Sequence, residues 1–103
     1  MGALERHKRD VVDQTWNFAG RLKSDQDHML NAVMGLASEA SEVLDEHKKL
    51  YFHSEKDRRD LIFLELGDVC YYLAKVLDLY GWTLKEVLEG NKAKLFERHG
   101  VKA

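Results

Sequence analysis

Apolar residues recur along this chain at steps of three and four, the period of a helix that buries one face. Val11, Thr15, Phe18 and Leu22 form one lane, with Val12, Trp16 and Ala19 beside it, and predict a first helix from about Leu4 to Leu22. Met29, Val33, Leu36, Ala40, Val43 and Leu50 repeat the pattern over a second helix that runs to about Tyr51. Ser24 is its expected N-cap, with Asp27 a weaker stand-in for the capping-box acid. Ser54 and Asp57 have the form of another cap, opening a third helix that reaches Tyr80, where Gly81 offers a C-terminal stop. Thr83 and Glu86 make a full capping box for a fourth helix ending near His99 and Gly100. The chain has no proline to break this pattern from within. Connections of a few residues imply antiparallel neighbours, so the expected fold is all-α: a compact four-helix bundle forming one domain over residues 1–103.

Composition adjusts this picture only slightly. With 45% hydrophobic and 33% charged residues the chain has an ordinary globular balance. Sixteen basic residues against 18 acidic ones leave a net charge of −2, which argues against a broad nucleic-acid surface or a stable nucleic-acid partner. No apolar run is long enough for a membrane span, and the charged opening from Met1 to Asp10 lacks a signal peptide's apolar core, so a cytoplasmic location is expected. The single cysteine, Cys70, lies in an apolar stretch. It reads as a buried thiol in a reducing compartment rather than a nucleophile, because nothing nearby would activate it.

The third helix carries the chemistry. From Ile62 to Leu77 only Glu65, Asp68 and Lys75 are charged, and a helix apolar nearly all round is expected to be central, covered on most sides. Glu65 and Asp68 stand three apart, within about 60° on the helical wheel. Tyr72 falls between them one turn later. Burying an unpaired charge loses several kcal/mol, roughly, of hydration, so two carboxylates there need an offsetting partner. Glu39 and Glu42 on the second helix are also three apart, with Glu46 one turn on and Gly35 and Ala32 leaving room on the same side for a ligand or a close helix. A lone Glu-x-x-Glu pair is ordinarily a solvated face. Two such pairs on adjacent antiparallel helices, at nearly equal heights, converge on one volume. Their mutual repulsion then calls for protons or cations. An all-oxygen set without His or Cys favours Mg²⁺, with Mn²⁺ as a substitute, and Mg²⁺ usually completes its shell with substrate phosphates. A di-iron site is the competitor, but it wants Glu-x-x-His pairs, and Glu42 and Asp68 stand where His would be needed.

Taken in order, Glu39-x-x-Glu42, 22 intervening residues and Glu65-x-x-Asp68 resemble the signature of the MazG-like all-α NTP pyrophosphatases. The segments GLASEASEVLDEHKK and ELGDVCYYL agree, and NKAKLFERHG is similar to the family's Asn-x-x-Lys-Leu-x-x-Arg segment. The resemblance covers roughly Asn31 to Gly100. It implies Mg²⁺-dependent hydrolysis of nucleoside triphosphates to monophosphate and pyrophosphate, in housecleaning of the nucleotide pool. It also implies a homo-oligomer, a dimer or a dimer of dimers, which so apolar a helix in so short a chain independently favours. Glu39, Glu42, Glu65 and Asp68 would hold the metal, and one of them would take the water's proton. Asn91, Lys94 and Arg98 would bind phosphate, although a basic helix end complementing the dipole is the plainer account of the two cations. Trp16 and Tyr72 are available to contact base or sugar; a Trp on an apolar face is more often core or subunit interface. Lys49 stands where one base-framing aromatic of the cytosine-selective members would align, which leaves the base preference open. Phosphoribosyl-ATP pyrophosphatases share the architecture, and a non-catalytic nucleotide-binding or helical interaction module is the other alternative.

Overall fold

The computed structural model describes residues 1–16, 24–52 and 58–102, which are helical nearly throughout, with no strand among them. In chain order the elements are α1 (Ala3–His7), a π-helical turn (Lys8–Val12), α2 (Asp13–Thr15), α3 (Asp25–Phe52), α4 (Arg59–Tyr80) and α5 (Leu84–His99). The protein is all-α, as the periodicity predicts. Ser24 caps α3, its hydroxyl accepting from the Asp27 N–H at 3.1 Å. Gly81 ends α4 in the left-handed region at φ 76°, and the Gly81 and Trp82 amides close onto the Asp78 and Leu77 carbonyls. The Thr83 capping box opens α5 with both reciprocal bonds formed. The proposed cap residues Ser54 and Asp57 lie outside the described residues.

The first helix departs from expectation. Instead of running to Leu22 it passes through the π turn and stops at Thr15, and Trp16 leaves it at ψ 81°. Tertiary contacts explain the stop. The Thr15 hydroxyl bonds back to the Val11 carbonyl and lies 2.8 Å from the Tyr71 hydroxyl, while the Trp16 indole N–H donates to His28 Nδ1 at 3.0 Å. These tethers on α3 and α4 outweigh the local apolar period, which continues into Phe18, Ala19 and Leu22, outside the described residues. The π turn brings Val12 to full burial.

Helices α3 and α4 form the principal packed pair, and their contacts fix an antiparallel register. Arg58 pairs with Glu46 at 2.9 Å, Glu65 meets Glu39, and Tyr72 lies over Gly35, so numbers climb on one helix as they fall on the other. Among the described residues the buried apolar ones are Val12, Ala32, Ala74 and Leu77, of which two are alanines that let backbones approach. Covering Leu77 contributes about 1.5–3 kcal/mol. At the other end Lys8 bridges Asp13 and Asp78, each at 3.1 Å, and the Glu5 carboxylate accepts from the Leu84 N–H, tying α1 to the first turn of α5.

The central helix is not covered on most sides within one chain. Leu61, Phe63, Leu64 and Leu66 are exposed, Phe63 at 76%. Cys70, expected to be buried, is also exposed. The reason is architectural: α3 and the N-terminal segment take part of the α4 surface, and α5 packs along neither α3 nor α4. The radius of gyration, 16.5 Å, exceeds the roughly 13 Å of a globular chain this long. The exposed surface, 7980 Å², likewise exceeds the roughly 6,000 Å² of a folded monomer of this mass.

Candidate metal centre

One helical turn separates Glu39 from Glu42 on α3, and Glu65 reaches across from α4. One carboxylate oxygen from each lies within 4.8 Å of the others. Glu39 and Glu65 are half-buried and Glu42 is exposed. The Glu39 Oε2 and Glu65 Oε2 atoms are shut off from solvent with no hydrogen-bond partner among the described residues. None of the three, nor Asp68, forms an ion pair there with a Lys, Arg or His. Glu46, on the same side of α3, is instead committed to Arg58 and Lys49.

Proximity and burial act on these acids together. Burial, followed by the charges of Glu42 and Asp68, pushes the Glu39 carboxyl above its ordinary range, against a partial offset from the Glu65 carboxyl beside it. Glu65 is raised by burial first and then by Glu39. Glu42 is raised chiefly by the Glu65 carboxylate beside it. Asp68 is exposed and stands outside the 4.8 Å group, yet its charge contributes to raising all three. It occupies the rim of the cluster. Buried oxygens without partners, an all-carboxylate donor set and uncompensated charge together fit a hard divalent cation.

Tyr72 borders the acids from α4. The room left by Gly35 is taken by its ring: a Cβ on Gly35 would fall 2.2 Å from Tyr72 Cε1. Ala32 is likewise fully covered, so this side of α3 receives a neighbouring helix rather than an open ligand cavity. Burial, then the charges of Glu39, Tyr71 and Asp68, raises the Tyr72 hydroxyl. Trp16 stands edge-on to Tyr72 at 6.0 Å between centroids and stacks on Tyr71 at 6.2 Å, with Lys75 Nζ 5.0 Å from its ring centre. The two aromatics singled out in the sequence therefore share one cluster.

Asn91, Lys94 and Arg98 are exposed on α5 and do not join the carboxylates within one chain. Two grooves also lie away from the acids. One, of 380 Å³, has Lys8, Asp78 and Trp82 in its wall; the other, of 860 Å³, runs between Leu4 and the Leu84–Leu88 turn of α5. The sequence reading assigned no role to His28, Tyr71 and Lys75, which contact Trp16, or to Asn31, one turn along α3 from His28. A signal for Asn31 existed: Asn31, Gly35 and Glu39 are spaced i, i+4, i+8, one lane of α3.

No helix among the described residues is long and apolar enough to cross a membrane. Neither the curated proteins nor the solved structures gave a match. The family model described as the MazG nucleotide pyrophosphohydrolase domain matches residues 27–101, from the first turn of α3 past the glycine that caps α5. With the carboxylate helices and α5 all inside that match, the chain belongs to the MazG nucleotide pyrophosphohydrolase family, hydrolases of phosphoric anhydride bonds.

Proposed function

We propose that the protein is a Mg²⁺-dependent pyrophosphohydrolase that cleaves (d)NTP to (d)NMP and pyrophosphate, cleansing the cytoplasmic nucleotide pool. The observation that carries this reading is the convergence of Glu39, Glu42 and Glu65 with two buried, unpartnered oxygens. These three, with Asp68 at the rim, would hold Mg²⁺, or Mn²⁺ in its place. Such an ion supplies positive charge to phosphate oxygens and acidifies a water. A carboxylate raised in pKa by burial, as Glu39 and Glu65 are, is suited to take that water's proton. Asn91, Lys94 and Arg98 supply phosphate contacts, the planar Arg98 guanidinium spanning two oxygens.

Those phosphate-binding groups must reach acids that their own chain does not bring to them. We infer a homodimer, or a dimer of dimers, in which α5 of one copy serves the carboxylates of another. The support is quantitative: the excess exposed surface, about 2,000 Å² per chain and so roughly 4,000 Å² for a pair, falls within the range of about 2,000–5,000 Å² that obligate homodimers cover.

The test is a pyrophosphate-release screen over canonical and damaged NTPs and dNTPs, with phosphoribosyl-ATP included, in Mg²⁺ and in EDTA. Metal-dependent release of pyrophosphate from a subset of nucleotides is expected. Tight nucleotide binding without turnover would replace this reading with a non-catalytic binding module.

A further inference from the structure

Two contacts hold α3 and α4 together, one on either side of the carboxylates. On one side Arg58 pairs with Glu46 at 2.9 Å, each two turns along its helix from Glu65 or Glu39. On the other, the Tyr72 ring lies against the backbone of Gly35, so close that a Cβ there would fall 2.2 Å from Cε1 and 2.3 Å from Cδ1. Gly35 stands one turn before Glu39 on α3, and Tyr72 two turns after Glu65 on α4. Each therefore shares a lane with the acid on its own helix. The acids lie within electrostatic reach of the ring: after burial, the charge of Glu39 does most to raise the Tyr72 hydroxyl.

The ring has little room to retreat. Tyr71 and Trp16 stand edge-on to it at 5.2 Å and 6.0 Å between centroids, and the Trp16 indole is tied back to α3 through His28. It acts as a spacer between the two helices, one turn from Glu39.

We propose that the Gly35–Tyr72 contact sets the separation of Glu39 and Glu65, and that these two positioning residues thereby favour Mg²⁺ over a larger divalent cation. The inference rests on the reading of the carboxylates as a metal centre. Mg²⁺ demands near-ideal geometry at about 2.0–2.1 Å, whereas Ca²⁺ accepts oxygens at about 2.3–2.6 Å in flexible arrangements. Oxygens that come from two different helices meet the stricter demand only where the helices are held at a fixed spacing. A wider or looser pair still suits Ca²⁺.

The experiment compares wild type with Gly35→Ala, Tyr72→Phe and the double variant Gly35→Ala/Tyr72→Ala, each checked for helicity by circular dichroism. The apo proteins are titrated with MgCl₂ or CaCl₂ alone and followed by calorimetry, with melting temperatures measured on the same samples. Gly35→Ala should weaken Mg²⁺ binding at least tenfold while Ca²⁺ binding stays within threefold. Tyr72→Phe keeps the ring and should retain the wild-type ratio of the two affinities. The double variant loses the clash and regains stability, but it has no ring to space the helices, so its ratio should stay lowered. A ratio that returns together with the melting temperature would make the contact merely structural and overturn the proposal. A ratio within twofold of wild type in Gly35→Ala would overturn it too, and loss of the ratio in Tyr72→Phe would assign the effect to the hydroxyl instead of the spacer. Should Gly35→Ala fail to fold, the ratio in the double variant decides. Wild type that binds neither ion would end the metal-centre reading and the proposal with it, whereas Mg²⁺ binding with an unchanged ratio in the variants ends the proposal alone.

Discussion

At the level of single residues, the carboxylates are unusual for where they stand more than for their spacing. Glu39 and Glu42 alone are indistinguishable from a solvated helix face. What made the site legible was Glu65 and Asp68 inside the apolar run from Ile62 to Leu77, where charge needs a reason. Helical spacing gave direction but not reach, so Asp68 shares the heading of Glu65 without joining the 4.8 Å group. Glu39→Gln and Glu65→Gln should each cut turnover at least a hundredfold in saturating Mg²⁺, because each would remove one of the carboxylates proposed to hold the metal. Near-normal turnover in both would remove the site assignment. Their effect on stability should have the opposite sign. The folded-state pKa values of Glu39, Glu42 and Glu65 lie above the ordinary 4.5, so the folded apo protein binds more protons than the unfolded chain between the two values. Stability from these groups is complete below 4.5 and is lost as pH rises through the raised values, then levels off. Glu5 and Glu86, lowered by backbone hydrogen bonds, push the other way as pH falls. Subtracting melting curves of Glu65→Gln from those of wild type between about pH 4 and 8 isolates the cluster. In EDTA the wild type should lose stability relative to the variant as pH rises; parallel curves would mean that the acids do not interact.

At the level of elements, the α3–α4 register depends on a close approach at Gly35. Alanine in a helix interior usually stabilises by about 0.5–1 kcal/mol over glycine. Here the added methyl would meet the Tyr72 ring at 2.2–2.7 Å, and overpacking of that kind costs about 1–3 kcal/mol. Gly35→Ala should therefore lower the melting temperature, and adding Tyr72→Ala should remove the clash and restore the ordinary sign. A single variant as stable as wild type would show that the ring moves freely. Helix limits were legible to different degrees, for a physical reason. The caps at Ser24, Gly81, Thr83 and Gly100 are local chemistry, written within four residues, and each appears as expected. The early end at Thr15 depends on Tyr71 and His28, far along the chain, and no local pattern encodes such a contact.

At the level of the whole molecule, the apolar pattern specifies more contact than one chain supplies. Leu61, Phe63, Leu64 and Leu66 on α4 and Val87 and Leu88 on α5 are exposed, and two grooves lined by α1 lie open beside α5. An exposed apolar surface of this extent marks a surface to be covered. Light scattering at micromolar concentration should give a dimer or tetramer, and a stable monomer would end that expectation. A sharper measurement asks whether the copies share an active site. Glu65→Gln disables the carboxylate cluster of its own chain, and Arg98→Ala disables its own α5. If each centre draws α5 from another copy, a mixed dimer of the two variants keeps one centre with both parts wild-type. Mixing the two inactive proteins, after dissociation and reassembly, should then recover on the order of a quarter of wild-type turnover, since about half of randomly paired dimers are mixed and each holds one intact site of two. If α5 served its own chain, every centre would carry a lesion and the mixture would stay inactive. Recovery that falls on dilution in step with dissociation, measured by pyrophosphate release and light scattering on the same samples, would tie the rescue to the interface. A mixture as inactive as its components, despite demonstrated exchange of subunits, would place α5 in its own chain's site and leave the excess exposed surface to be explained by another partner.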